Sequence, residues 1–311
     1  MKVAVVGAGK VGAMVAVGLV YHGIAREIVL VDQDTARARG VALDLGYAAP
    51  MYPEVDVRAG TTDDLAGAGV VVVTAGLNEK AGGATDRSDP RGRLRLLDHN
   101  AGVFRDVVPA IAAAAPSATV MVITDPPDPL ADLARSILGH DRVFSTGTVI
   151  DSLRFRVRLA HALGVTPRSV HAQIIGEHGT SGVFLWSTAA VGGVPALHLA
   201  ERAGHDVDRF RAEVERAVRY ANIDIIEGTG ASRYGIGAVA AMLVRCVARD
   251  ERTVLPVASH RPAWGTTLSL PSVLGAGGVR EVIEPAMDDA ERAALEASAR
   301  TLREAASTVL V

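Results

Sequence analysis

The sequence predicts an α/β fold: a doubly wound parallel sheet in the first half, joined to an α+β partner in the second. Three observations carry this. Apolar β-branched runs alternate with helical segments through the first 148 residues, those runs are continuous rather than broken by alternating polar residues, and the pattern changes character from residue 149. Continuous runs suit strands covered on both faces, as in a parallel sheet. In order, the first half reads as strand 2–6, a helix from 11, strand 27–31, a helix through 38–45, and strands 55–59 and 70–74. A helix over 94–114 and strands 119–123 and 142–144 complete it. The second half reads as a helix from 149 to 163, a strand over 170–175, helices 206–227 and 235–249, strands 253–258 and 266–270, and a helix from 288. The division is set at 1–148 for the doubly wound half and 149–311 for its partner. No Pro/Ser-rich linker separates them, so the site is expected in the cleft between the halves.

Composition narrows the function classes. Among 311 residues, 32 Lys and Arg face 35 Asp and Glu, without the cationic bias of a duplex-binding surface. Charges, Gly or Pro interrupt every apolar run before the roughly 20 residues of a membrane span. Met1 runs straight into the first strand without a charged signal region, which favours the cytoplasm. The single cysteine, Cys246, lies among Met242, Leu243, Val244 and Val247 and reads as a buried small hydrophobe. No metal is assigned.

Gly7, Ala8, Gly9, Lys10, Val11 and Gly12 follow the first strand and open a helix, the context in which a GxGxxG pattern carries information. The first glycine allows a tight turn, the second lets the backbone approach a pyrophosphate, and the third lets helix and strand pack closely. The helix N-terminus offers amide donors to phosphates. Asp32, twenty residues beyond Gly12, ends the second strand, where a carboxylate accepts from ribose hydroxyls and repels a 2′-phosphate. Position 33 is Gln33 rather than arginine, so NAD is favoured over NADP.

Asp151 and Arg154 share one helix face, and Glu177, His178 and Gly179 follow 24 residues after Arg154. Arginine grips a carboxylate bidentately. Histidine hands over protons near neutral pH, and a carboxylate beside it fixes its tautomer. Each also has an ordinary explanation, the first two as a surface pair and His178 as a loop residue. Beside a nucleotide site they become a catalytic set.

At these residues the chain resembles the L-lactate and malate dehydrogenase family from end to end. The matching stretches are VVGAGKVG at 5–12, VDQD at 31–34, VVVTAG at 71–76, VIDSLRFR at 149–156, VHAQIIGEHG at 170–179 and LSLPSVLGAGGV at 268–279. The resemblance implies a Rossmann nucleotide domain and NAD-dependent hydride transfer at C2 of a small L-2-hydroxy or 2-keto acid. In it His178 exchanges the proton, Asp151 partners it and Arg154 binds the substrate carboxylate. It also implies that Ala75, Gly76, Asn100, Ile123 and Asp125 lie beside the cofactor. A second arginine on a mobile loop polarises the carbonyl in this family. Counting back from Asn100 places it at Arg93, with Arg87, Arg91 and Arg95 as nearby competitors. A homodimer or homotetramer is implied as well. Arg156 and His171 match positions that line an anion site between lactate dehydrogenase subunits, where bacterial members bind a sugar bisphosphate; they can equally be plain interface residues.

Departures from the family pattern suggest an unusual substrate. The loop 77–92, at sixteen residues, is longer than the family's. Glu79 stands where lactate enzymes carry a neutral amide and malate enzymes an arginine, so it either repels oxaloacetate or is a solvated lid charge. Asp125 replaces an asparagine and loses its amide donor. Thr180 replaces a common aspartate, a minor change, and Ser232 leaves more room for the substrate side chain than threonine. The expectation is a 2-keto acid other than pyruvate or oxaloacetate. True lactate or malate dehydrogenase is the alternative, and a catalytically reduced NAD-binding protein is the reading from a different class. Intact Asp151, Arg154 and His178 argue against the last.

Overall fold

The computed structural model describes residues 1–83, 85 and 92–310, the side chains of residues 92 and 93 excepted. The first half comprises β1 (Lys2–Val6), α1 (Lys10–Tyr21), β2 (Glu27–Val31), α2 (Thr35–Ala48), β3 (Asp56–Ala59), β4 (Val70–Val73), α3 (Leu97–Ala114), β5 (Thr119–Val122), α4 (Pro127–Leu138) and β6 (Val143–Ser145). The second begins with α5 (Val149–Leu163), β7 (Val170–His171), β8 (Ile174–Ile175), β9 (Val183–Phe184), β10 (Ala190–Val191), β11 (Val194–Pro195), α6 (Ala196–Arg202), α7 (Val207–Arg219) and α8 (Ala221–Thr229). It ends with α9 (Tyr234–Ala248), β12 (Thr253–Leu255), β13 (Ala258–Arg261), β14 (Thr266–Ser269), β15 (Ser272–Gly275), β16 (Gly278–Val282) and α10 (Asp289–Ser307).

Strands β1 to β6 are parallel, in the order β6-β5-β4-β1-β2-β3. Winding reverses between β1 and β4, and the loops leaving those strands open the crevice in which such sheets bind ligands. Side-chain alternation along each strand explains the two cores. Val3, Val5, Ile28 and Leu30 face α1 and α9, meeting Val15, Leu19, Leu243 and Val247. Ala4, Val29, Val71 and Val73 face α3 and α4, meeting Phe104, Val108 and Leu130. Each fully buried large side chain here contributes about 1.5–3 kcal/mol, which is why the strands read as uninterrupted apolar runs.

The structure bears out the doubly wound sheet and a second half of mixed helices and strands, and it departs from the expected elements at several points, β9 to β11, α6, β15 and β16 being additions. Helix α4 lies between the expected strands 119–123 and 142–144, where no helix is expected and where Pro126, Pro127 and Pro129 cluster. Proline is tolerated in a first helical turn, whose N–H groups lack intrahelical partners. The expected strand 170–175 is two short strands in different sheets, and the helix expected over 206–227 breaks at Tyr220. The run 253–258 divides at Pro256: Thr253–Leu255 pairs with β15, whereas β13 pairs with β6. Thus β13 of the second half adds antiparallel to β6 and β14 antiparallel to β13, extending the nucleotide-domain sheet to eight strands in the order β14-β13-β6-β5-β4-β1-β2-β3. Among the described residues no single helix is long and apolar enough to cross a membrane.

Candidate active site

The turn after β1 is built for close approach. Gly7 has φ +105°, a conformation L side chains rarely adopt, and a Cβ on Gly12 would lie 1.9 Å from the Gly7 carbonyl oxygen. Thr74 Oγ1 donates to that same oxygen at 2.7 Å, pinning the turn to the end of β4. Gly9 differs: a Cβ there would meet nothing within 4 Å, and Gly9 caps α1 without a side-chain hydrogen bond. The first-turn amides of α1 therefore border open space, as a pyrophosphate requires. Asp32 closes this end. Its Oδ2 accepts from Ala8 N–H at 2.7 Å and its Oδ1 from Asp34 N–H at 2.8 Å. A carboxylate offers about four lone-pair sites, so two remain for ribose hydroxyls. Open space at Gly9 and spare acceptors on Asp32 fit NAD.

A cleft of about 510 Å³ runs from this turn to the second half, within the size range of small-molecule sites. Its walls include Gly9, Lys10, Val11, Gly76, Glu79, Ile123, Asp125, Arg154, His178 and Ser232. At the far end α5 is locked by its own N-terminus. Thr148 Oγ1 donates to Ile174 O, Thr148 N–H donates to Ser269 Oγ at 3.0 Å, and Ile174 N–H donates to Ser152 Oγ at 2.9 Å. Asp151 and Arg154 project from that fixed turn. Asp151 stands between two partners: Oδ1 accepts from Arg154 Nη1 at 2.8 Å, and Oδ2 lies 2.5 Å from His178 Nδ1. An ionised carboxylate only accepts, so Nδ1 carries the proton and Nε2 is left for exchange. All three side chains are largely buried, at 11 to 15 % exposed. Asp125 Oδ1 lies 4.0 Å from His178 Nε2.

The histidine loop is held from several sides. Gly176 pairs with Ser269 of β14, Glu177 N–H donates to Ser298 Oγ of α10 at 2.9 Å, and Arg219 donates to Thr180 O. His178 N–H donates to Asp128 Oδ2 at 2.9 Å. Asp128 is buried, which pushes its carboxyl up to about 6 against the opposing effect of its hydrogen bonds from Ser145 and His178.

Not every expected residue reaches the cleft. Asn100 is fully buried and uses its whole amide on backbone, accepting from Leu77 N–H at 2.7 Å and donating to Leu77 O at 3.2 Å and Asp125 O at 2.6 Å. It fixes two loops rather than presenting itself to a ligand. The side chain of Arg93 lies outside the described residues, as do Arg87 and Arg91, while the backbone of 93 belongs to a 3₁₀ turn, Gly92–Leu96. Arg95 is exposed. The sequence reading missed Asn222, whose Nδ2 donates to Glu79 Oε1 at 3.1 Å from the opposite wall. A polar residue on the buried face of an apolar helix, beside Ile223 and Ile226, was the available signal.

An arginine able to grip a carboxylate, next to an imidazole placed to exchange a proton at the inner end of a cleft that fits a dinucleotide, is what oxidation of a 2-hydroxy acid demands. The chain is accordingly an NAD-dependent L-2-hydroxy acid dehydrogenase. It belongs to the lactate/malate dehydrogenase family: residues 1–144 match that family's NAD binding domain and residues 148–310 its alpha/beta C-terminal domain. Similar proteins include the L-lactate dehydrogenase of Thermus aquaticus, 44% identical over 99% of both chains. That of Allorhizobium ampelinum is 43% identical, again over 99% of both. The crystal structure of the minor L-lactate dehydrogenase from Enterococcus mundtii superposes with TM-score 0.90 at 33% identity, covering 99% of this chain and 98% of that one.

These relatives overturn the expectation of a substrate other than lactate or malate and favour its alternative. The physical reason lies in the neighbours of the departing residues. Glu79 is neither a bare charge facing substrate nor a solvated lid charge, since Asn222 engages its carboxylate. Asp125 was read by its lost amide, whereas the turn is held through its backbone by Asn100.

Proposed function

We propose that the chain interconverts L-lactate and pyruvate. The observation that carries this reading is the line Arg154–Asp151–His178, in which one carboxylate orients both the carboxylate-binding arginine and the proton-exchanging histidine. Arg154 retains free guanidinium donors after pairing with Asp151, enough for two parallel bonds to the pyruvate carboxylate. The turn at Gly7 to Gly12 and Asp32 would hold the nicotinamide cofactor, which when bound in its reduced form would supply the hydride for C2. His178 Nε2 gives its proton to the carbonyl oxygen, leaving lactate, and the Asp151 carboxylate stabilises the imidazolium beforehand. In the reverse direction neutral Nε2 takes the hydroxyl proton. Arg93 is assigned to the carbonyl oxygen, where a cation stabilises developing negative charge. Glu79 and Ser232 border the space for the substrate methyl. Steady-state assay of pyruvate against oxaloacetate with NADH tests the reading; a preference for oxaloacetate overturns it.

The working enzyme is proposed to be a symmetric homo-oligomer, since Leu43, Tyr47 and Met51 on and just after α2 are 58, 76 and 81 % exposed. Arg156 and His171 line a second cavity of about 410 Å³, and Arg156 Nε is buried without a hydrogen-bond partner. This supports an anion site between subunits. Sedimentation with and without a sugar bisphosphate tests both points, and a monomer in either condition removes them.

A further inference from the structure

Asp128 is a buried acid that this chemistry leaves unassigned. It lies in the first turn of α4, 1 % exposed. Its Oδ1 accepts from Ser145 Oγ at 2.6 Å and its Oδ2 from the His178 backbone N–H at 2.9 Å. Ser145 Oγ in turn accepts from Gly147 N–H at 3.0 Å, so one carboxylate links the end of β6, the lead into α5 and the histidine loop. Both donors it meets are neutral. Burying an acid on such partners is costly, and an amide of the same shape would fill the space without that cost.

What the carboxylate offers is a strong acceptor for one N–H, because hydrogen bonds to ionised groups are shorter and about twice as strong as neutral ones. That N–H belongs to His178. The ring of the same residue is tied to Asp151 at 2.5 Å. Held at backbone and ring, the imidazole has no freedom left to turn Nε2 away from the cleft. We infer that Asp128 is a positioning residue for proton transfer, fixing the His178 backbone so that the imidazole stays on Asp151 with Nε2 aimed at the substrate oxygen. The inference rests on His178 being the proton-exchanging group. The Asp128 charge is favoured by the neighbouring His178 and opposed by the neighbouring Glu177. Among the described residues, Asp151 of α5, Arg154 paired with it, and Asp125 in the turn before α4 are further charged groups on the cleft side of the imidazole.

The test compares Asp128→Asn, Asp128→Ala and, as control, His178→Asn in pyruvate reduction from pH 5 to 8, with NADH binding followed by fluorescence and folding by Tm. Asparagine keeps an oxygen for the His178 N–H but removes the charge. It is expected to lower kcat about tenfold, with pyruvate KM and NADH Kd within about twofold, and alanine about a hundredfold, the scale of a misplaced catalytic group. Below about pH 6, where Asp128 takes up a proton, kcat of the parent enzyme falls further than that of Asp128→Asn. Folded Asp128 variants with unchanged kcat and pH profile overturn the inference. So does loss of kcat only in step with NADH binding, which marks a structural role alone. If alanine fails to fold, the asparagine variant decides. Full turnover in His178→Asn would instead remove the reading on which the inference rests. An inactive His178→Asn beside fully active Asp128 variants removes the inference alone.

Discussion

Asn222 of α8 donates its side-chain amide to Glu79 at 3.1 Å, tying the root of the loop that follows β4 to the opposite wall of the cleft. Both residues line the space beside His178. Glu79→Arg places a cation there and repels nothing from a second substrate carboxylate. The kcat/KM ratio for oxaloacetate over pyruvate is expected to rise by about tenfold or more in a weakly screened site. A change within a few fold would place Glu79 outside the substrate's reach, as for an exposed, screened charge.

Arg154→Leu removes a charged bidentate contact and also the hydrogen bond that Asp151 Oδ1 accepts from Arg154 Nη1. NADH affinity should hold, while kcat/KM for pyruvate drops by roughly a thousandfold, equivalent to about 4 kcal/mol. Because Asp151 loses that anchor, kcat should fall together with the rise in KM. Unchanged pyruvate kinetics would contradict the assignment.

His178→Ala is expected to reduce turnover by about a hundredfold or more, the usual scale for general acid catalysis. Asp151→Asn should act in the same direction, since an amide at 2.5 Å from Nδ1 no longer stabilises the imidazolium. Rapid turnover in either variant would point to a different proton donor.

Asp32→Ser removes the carboxylate that repels a 2′-phosphate. Arg37 lies next to it, Nη1 3.6 Å from Asp32 Oδ1, and lines the same cleft. NADPH should therefore gain at least about tenfold relative to NADH, and Arg37→Ala added to Asp32→Ser should cancel that gain. An NADH to NADPH ratio that stays constant in Asp32→Ser would place the ribose elsewhere.

Stability should track the titration of Asp128. Its folded pKa of about 6 lies above the ordinary 3.8, so the native state binds the proton more tightly than the unfolded chain. The stabilising effect is complete below pH about 4 and is lost as pH rises through about 6. A shift of this size corresponds to about 3 kcal/mol at most. The Tm of Asp128→Asn relative to the parent is thus expected to rise from pH 4 to pH 7, and a pH-independent difference would show that the carboxyl does not titrate in that window.

The sequence revealed what repeats locally. Strands β1, β2, β4, β5 and β6 were legible because both their faces are buried, and Gly7 to Gly12 with Asp32 because the chemistry of phosphate and ribose fixes their spacing. His178, Asp151 and Arg154 were legible as residue types, and the structure brings them together at hydrogen-bond distance. The rest needed partners far along the chain. Nothing local says that Asn222 meets Glu79, that Asn100 turns inward to Leu77 and Asp125, or that Asp128 accepts from His178. The charges of Glu79 and Asp125 were counted without those neighbours, and the substrate expectation failed there. Prolines hid α4, since Pro127 and Pro129 signal a turn until their place in a first helical turn is known.

The pairing of β13 with β6 governs how the protein is made. Ribosomes deliver Ser145 long before Ala258, its partner in the ladder, so the nascent nucleotide half carries β6 as an open edge while more than a third of the chain is still to come. Unpaired edges template association with other chains, and long-range pairing of this kind is slow to form. A product terminated near residue 148 should accordingly aggregate rather than persist as a free nucleotide-binding fragment, and co-expressing the missing half as a separate polypeptide should restore it to solution.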